Sequence, residues 1–279
     1  MKIKKLISLS LIAILSLSLV ACSGNDNEKK ESESAKKEVK TVKVGTSDPI
    51  IKEMLDAVQK DYLNDGYKME VTLFDGDIIS PNSGVAEGTL DANFYQHSAF
   101  LEQFNKDKGT DLSAVGEPIY YSKMGVYSDK LKSLDDVKDN MKVAIPSDAT
   151  NKSRALVLLA DEGLIKLKDG VKTYSPLEVV ENKHNLEFIE MDTVKIPSAL
   201  PDVDLGVVRA IQIMKSDKDP ESALAFDEHG AEYGIVLATK SENKDQEWAK
   251  TLAKELKGEK VKAIIEKNYG TTSVLIEDK

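Results

Sequence analysis

The sequence predicts an α/β protein built as two lobes. Residues 42–74 run strand, helix, strand, which implies a parallel pair joined by a right-handed crossover. A second group of alternating strand and helix patterns begins near Met124. The composition, 41% hydrophobic and 31% charged, is ordinary for a globular protein, and the stretch from Thr41 to Lys279 has room for one large domain or two smaller ones.

Upstream of the first strand lies a leader. Met1-Lys2-Ile3-Lys4-Lys5 is basic, and Leu6 to Val20 is an uncharged run of Leu, Ile, Ser, Ala and Val. That run falls short of the roughly 20 residues of a spanning helix, so it reads as a secretory signal peptide over residues 1–21. The closing Leu19-Val20-Ala21-Cys22 resembles the lipobox of bacterial lipoproteins, which implies that Cys22 becomes the mature N-terminus and carries lipid chains. Cys22 is also the only cysteine, so no intramolecular disulfide is available and the exported part must be held by its core. Residues 22–40 are then a lipidated cysteine and a polar tether too poor in apolar side chains to order itself, reaching on the order of 20–25 Å.

Within the folded part each element has its own signal. Val42-Lys43-Val44-Gly45 alternates as a strand, and Thr46-Ser47-Asp48-Pro49 is a helix start. Ile50, Ile51, Met54, Leu55, Val58 and Tyr62 recur at helical spacing until Asn64-Asp65-Gly66 stops them, and Met69 to Phe74 alternates again. In the second group, Gly125-Val126-Tyr127 and Lys142 to Pro146 read as strands, and Ser153 to Leu164 as an apolar-faced helix. Leu186 to Ile189, Val203 to Val208 and Tyr233 to Ala238 supply further strands, and helical patterns over Asp245 to Leu256 and Lys260 to Lys267 finish the chain. There is no detectable internal repeat, no His-Glu-x-x-His and no Gly-rich phosphate loop. The net charge of -10, with lysines evenly mixed in, argues against nucleic acid as a partner.

Three segments carry a resemblance. Gly88 to Leu112 contains Asp91-Ala92-Asn93-Phe94-Tyr95-Gln96-His97, Met124 to Ser128 is followed by Lys132-Ser133-Leu134-Asp135-Asp136, and Ala144 to Leu156 is followed by Gly163 to Gly170. In order and spacing the chain resembles the methionine-binding lipoproteins, also called the NlpA lipoprotein family, the substrate-binding components of methionine ABC importers. The resemblance implies a type II periplasmic-binding-protein fold, two α/β lobes on a two-segment hinge with the ligand between them. Residues 41–118 with 241–279 would form lobe 1, and 119–240 lobe 2. It further implies methionine or a related amino acid as ligand, an ABC permease and its ATPase as partners, no cofactor, a monomer and a lipid-anchored, extracytoplasmic location.

The candidate ligand-binding residues follow from the chemistry of an amino acid. Arg154 offers a bidentate grip on a carboxylate, at the start of a helix that Thr150 or Asn151 would cap. Asn151 adds a side-chain hydrogen bond, and the family's matching Asn and Arg contact ligand. Phe94, Tyr95 and His97 suit a thioether side chain, although in a regular strand only one of two adjacent aromatics faces the cleft and the other is core.

The chain departs from the family pattern in three places. Ile78 stands where a ligand-contacting Tyr is usual, Pro49-Ile50 where Pro-His is common, and Arg209-Ala210-Ile211 where the family has Asn-Gly-Asn. Arg209 only donates hydrogen bonds and repels an ammonium, so either another acceptor serves, a backbone carbonyl or Asp48, Asp75 or Asp77, or the ligand differs. Candidates are a modified amino acid, a small peptide or a compound with a second carboxylate. Arg209 pointing to solvent is the remaining alternative.

Enzyme readings have little support. There is no Gly-x-Ser-x-Gly elbow, the sole Cys is consumed by the anchor, and only three histidines are present. A paired-carboxylate hydrolase stays open on composition, as does a surface lipoprotein that kept the fold without transport.

Overall fold

Strands and helices alternate in a computed structural model that describes residues 39–276. Cys22, the leader and most of the tether lie outside the described residues. The chain runs β1 (Lys40–Thr46), α1 (Pro49–Asn64), β2 (Tyr67–Leu73), α2 (Ser80–Glu87), β3 (Ala92–His97), α3 (Ser98–Lys108), β4 (Leu112–Ala114) and β5 (Tyr120–Ser122). It then crosses into β6 (Met124–Tyr127), β7 (Lys142–Pro146), α4 (Ala149–Asp161), β8 (Lys166–Leu167), β9 (Val179–Glu181), β10 (Glu187–Met191), α5 (Ile196–Ala199), β11 (Leu205–Arg209), α6 (Ala210–Lys215) and β12 (Ala225–Phe226). A second crossing leads back to β13 (Ile235–Lys240), α7 (Glu247–Leu256), α8 (Glu259–Ile264) and β14 (Ser273–Leu275).

Local chemistry sets the first unit. Asp48 caps α1, its Oδ1 accepting the Ile50 N–H at 3.0 Å, and Pro49 occupies the first turn, where a missing N–H costs nothing. The stripe Ile51, Met54, Leu55, Val58 and Tyr62 is buried against the sheet, and Gly66 ends the connection at φ +96°, a conformation strained for any side chain. β1 pairs in parallel with both β2 and β3.

The two sheets share one plan. The first runs β14-β5-β13-β3-β1-β2 with β4 on β13, the second β10-β7-β11-β6-β12. In each, three parallel strands lie in the order second, first, third, and the next strand is antiparallel and arrives from the other lobe: β13 on β3, and β6 on β11. The sequence shows no repeat because packing constrains only pattern and turn chemistry, not residue identity.

Sheet pairing locates the crossings at Lys123 and between Phe226 and Ile235. Tyr120–Ser122 and Ile235–Lys240 are therefore strands of the first sheet, although both fall inside the 119–240 that sequence assigns to lobe 2. Each lobe keeps its own core. α1, α7 and α8 cover the first sheet through Met54, Leu55, Tyr62, Trp248 and Leu252, while α4 covers the second through Ala155, Leu156 and Leu159.

Candidate functional site

The C-terminal ends of all six parallel strands converge on one cavity of about 350 Å³. From lobe 1, Ser47 and Asp48 follow β1, Asp75 and Ile78 follow β2, and Tyr95, Gln96 and His97 end β3. From lobe 2, Asn151 follows β7, Thr193 and Val194 follow β10, and Arg209, Gln212 and Lys215 follow β11. Strand carboxyl ends are where open α/β sheets hold ligands, and the volume falls within the roughly 300–1,000 Å³ of small-molecule sites.

A β-bulge explains how three consecutive residues reach this cavity. Opposite β13, Gln96 pairs with Val236 and Phe94 with Leu237, which leaves Tyr95 as the extra residue on β3. The bulge breaks the alternation, so Tyr95, Gln96 and His97 all line the cavity. Phe94, on the other side of the break, is fully buried in the lobe 1 core and meets Tyr120 edge-on at 6.3 Å. It does not line this cavity and belongs to the core instead of making the expected ligand contact. Behind the floor, the amides of Asn82, Asn93 and Gln96 bond to one another at 2.5–2.9 Å, which fixes this stretch of β3.

Among the described residues, three buried side-chain polar atoms lack a hydrogen-bond partner: His97 Nε2, Asn151 Oδ1 and Arg209 Nε. All three residues line the cavity. His97 caps α3 by accepting the Phe100 N–H on Nδ1 at 3.1 Å, so its proton resides on Nε2. Burial, with Arg154 and Arg209 nearby, pushes its pKa down to about 3, so the ring is a neutral donor. The Asn151 Nδ2 donates to Asp148 Oδ1 and Oδ2 at 3.0 and 3.2 Å, which turns Oδ1 away from Asp148 as an open acceptor. Asn151 lies near enough to His97 to favour its charged form slightly, yet neither atom completes a hydrogen bond. Buried polar atoms are normally paired, so three open ones around one cavity mark a place where a ligand supplies the partners.

Arg154 is elsewhere. Asp148, not Thr150 or Asn151, caps α4, with Oδ1 accepting the Asn151 N–H at 3.0 Å, so Arg154 falls in the second turn. Its side chain is 2% exposed and spans both crossings. Nε donates to Asp227 Oδ2 at 2.8 Å, with Nη2 in ion-pair contact with the same oxygen at 2.7 Å, Nη2 donates to the Ser122 carbonyl at 2.8 Å, and the guanidinium lies 4.4 Å from the Tyr233 ring centre. Asp227 in turn accepts the Met124 N–H at 2.9 Å. The residue expected to grip a carboxylate is thus the staple of the hinge and is not among the residues lining this cavity.

Arg209 is the reverse case. It lines the cavity with a buried, unpartnered Nε, which speaks against the alternative that it points to solvent. Ala210, Ile211 and Ile213 turn into the core, while Gln212 and Lys215 share the cavity face of α6 at helical spacing. Ile78 also lines the cavity, its carbonyl accepting the Tyr95 OH at 2.8 Å. Of the acidic candidates, Asp48 and Asp75 line it and Asp77 does not, since Asp77 is spent on the N–H groups of Ile79 and Ser80 at 2.8 and 3.0 Å. Lys215, Gln212 and Thr193 also line it but carry no motif, and only helical spacing from Arg209 would have pointed to the first two; Phe100 lines it too, from within the Gly88 to Leu112 segment. His184 and His229 are half-buried to exposed and sit beside acidic side chains at the surface.

Two α/β lobes on a double crossover, with a cavity between them whose lining residues include three that keep an unpartnered buried polar atom, define a solute-binding protein of the periplasmic type. Within that class the chain belongs to the NlpA lipoprotein family, whose model matches residues 42–276. It is 34% identical over 251 residues to a D-methionine-binding lipoprotein of Escherichia coli O157:H7, covering 88% of each chain. Among solved structures, a nutrient-binding protein from Burkholderia cenocepacia bound to methionine is 34% identical with a TM-score of 0.79, covering 85% of this chain and 100% of that one. A lipoprotein from Ruminococcus gnavus is 33% identical with a TM-score of 0.80, again covering 85% and 100%.

Proposed function

We propose that this chain captures a zwitterionic amino acid of the methionine type and delivers it to the permease of an ABC importer, held at the membrane by lipid on Cys22. The observation that carries the reading is the set of open atoms, His97 Nε2, Asn151 Oδ1 and Arg209 Nε, around a cavity reached from both lobes. Two donors and an acceptor suit a molecule with both a carboxylate and an ammonium. Tyr95, Phe100, Ile78 and Ile235 supply an apolar wall, and polarizable sulfur packs well against aromatic edges. Methionine bound in the Burkholderia relative supports the ligand class. A ligand touching both lobes would select the closed arrangement, and the protein acts as a monomer with no chemical step of its own.

Mass spectrometry of the protein purified gently, followed by titration of the emptied protein with L- and D-methionine, tests this. One amino acid released intact and rebound at one per chain is the expected result. A cleft that binds neither isomer and carries no amino acid would sink the reading, and turnover of the ligand would replace it with an enzyme.

A further inference from the structure

Accepting that the cavity takes an amino acid, the charged groups around it define which end goes where. Lobe 2 contributes two cations to the cavity, Arg209 at the end of β11 and Lys215 on α6. Lobe 1 contributes Asp48, 8% exposed, at the carboxyl end of β1. Lys215 Nζ reaches across the cavity to Asp48 Oδ1 at 2.7 Å, so an ion pair joins the lobes through the binding site. Among the described residues a second pair links the lobes, Lys172 with Glu102, at the surface with both side chains largely in solvent. Asp48 Oδ1 already accepts the Ile50 N–H, and Oδ2 has no hydrogen-bond partner among the described residues.

We propose that the Asp48–Lys215 pair is a clasp that a zwitterionic ligand opens and replaces, its ammonium docking on Asp48 and its carboxylate on Lys215 and Arg209. The direct pair leaves neither partly buried charge uncompensated. A zwitterion entering between them gives each charge a new partner of opposite sign and still ties lobe 1 to lobe 2. The polarity of insertion is set, because Arg209 and Lys215 repel an ammonium and Asp48 repels a carboxylate. Asp48 and Lys215 are then specificity-determining residues that demand both a free amine and a free acid.

Calorimetric titration of the unaltered protein, Asp48→Asn and Lys215→Met with L-methionine, N-acetyl-L-methionine and L-methioninamide tests the clasp. The unaltered protein should hold methionine at least about tenfold tighter than either blocked form, the scale of one charge-assisted hydrogen bond. Asp48→Asn should weaken methionine by a similar factor and change N-acetylmethionine by no more than about twofold, and Lys215→Met should do the same for methionine against methioninamide. Should a variant fail to fold, the comparison of the three ligands on the unaltered protein stands by itself. Methionine bound equally well with either end blocked, or unchanged or tightened by both substitutions, overturns the clasp and leaves the amino-acid reading intact. Binding of none of the three by the unaltered protein overturns both.

Discussion

The hinge and the cleft of this protein are neighbours that treat buried polar groups in opposite ways. In the hinge, the Arg154 guanidinium meets Asp227, the Ser122 carbonyl and the Tyr233 ring, and Asp227 also takes the Met124 N–H. A few residues away, His97, Asn151 and Arg209 each keep a buried atom open. Tyr233 joins the two regions, with Arg154 on its face and His97 edge-on at 5.2 Å. The difference teaches that paired groups hold the two crossings in place, while open ones wait for a partner that the chain does not contain.

The same substitution in two arginines tests that contrast most strongly. Arg154→Met leaves the Asp227 carboxylate, 3% exposed, without its cation, and should cost about 3–5 kcal/mol in chemical denaturation. Adding Asp227→Leu should recover only part, because the Met124 N–H then loses its acceptor. Arg209→Met removes no hydrogen bond from Nε among the described residues and should stay within about 1 kcal/mol of the unaltered stability while weakening ligand binding. Equal stability losses from both would erase the distinction. Loss of binding from Arg154→Met at unchanged stability would return Arg154 to the ligand.

The next effect is a pH dependence that belongs to the cleft. The His97 pKa is pushed down to about 3 in the folded protein, chiefly by burial and then by the nearby Arg154 and Arg209 charges, against an unperturbed value of 6.5. The unfolded chain therefore binds more protons than the folded one between those values, and stability falls as pH drops through that window. The stabilisation is fully present above pH 6.5 and is lost toward pH 3, a few kcal/mol at about 1.4 kcal/mol per unit. Denaturation midpoints from pH 7 to pH 4 should drop more steeply for the unaltered protein than for His97→Gln. Parallel curves would mean that the imidazole is already solvated or paired.

Much of this architecture is legible in the sequence, and its failures are local. Apolar periodicity places α1, β7 and α7 to within a few residues because each buries one stripe or one short run. The resemblance implies the two-lobed fold, and Tyr95, His97, Asn151 and Arg209 do line one cavity. Asp148, not Thr150 or Asn151, caps α4, and the Arg154 side chain is paired at the crossings, a long-range contact that local spacing does not show. Phe94 is misread because a bulge one residue on leaves no mark in the pattern. Asp48 and Lys215 are 167 residues apart, and only the folded chain brings them together.

The smallest effect comes from a cleft residue that is paired. The Tyr95 ring lines the cavity while its OH donates to the Ile78 carbonyl at 2.8 Å, tying the bulge in β3 to the segment after β2. Tyr95→Phe keeps the ring and leaves that carbonyl unmatched, so it should cost about 1 kcal/mol of stability and change methionine affinity by about twofold or less. Tyr95 then behaves as the hinge residues do, on a smaller scale, because a neutral hydrogen bond replaces a buried ion pair. A drop in affinity of about tenfold or more with unchanged stability would show that the hydroxyl serves the ligand. Pairing within the protein would then no longer separate the residues that hold the fold from those that hold the cargo.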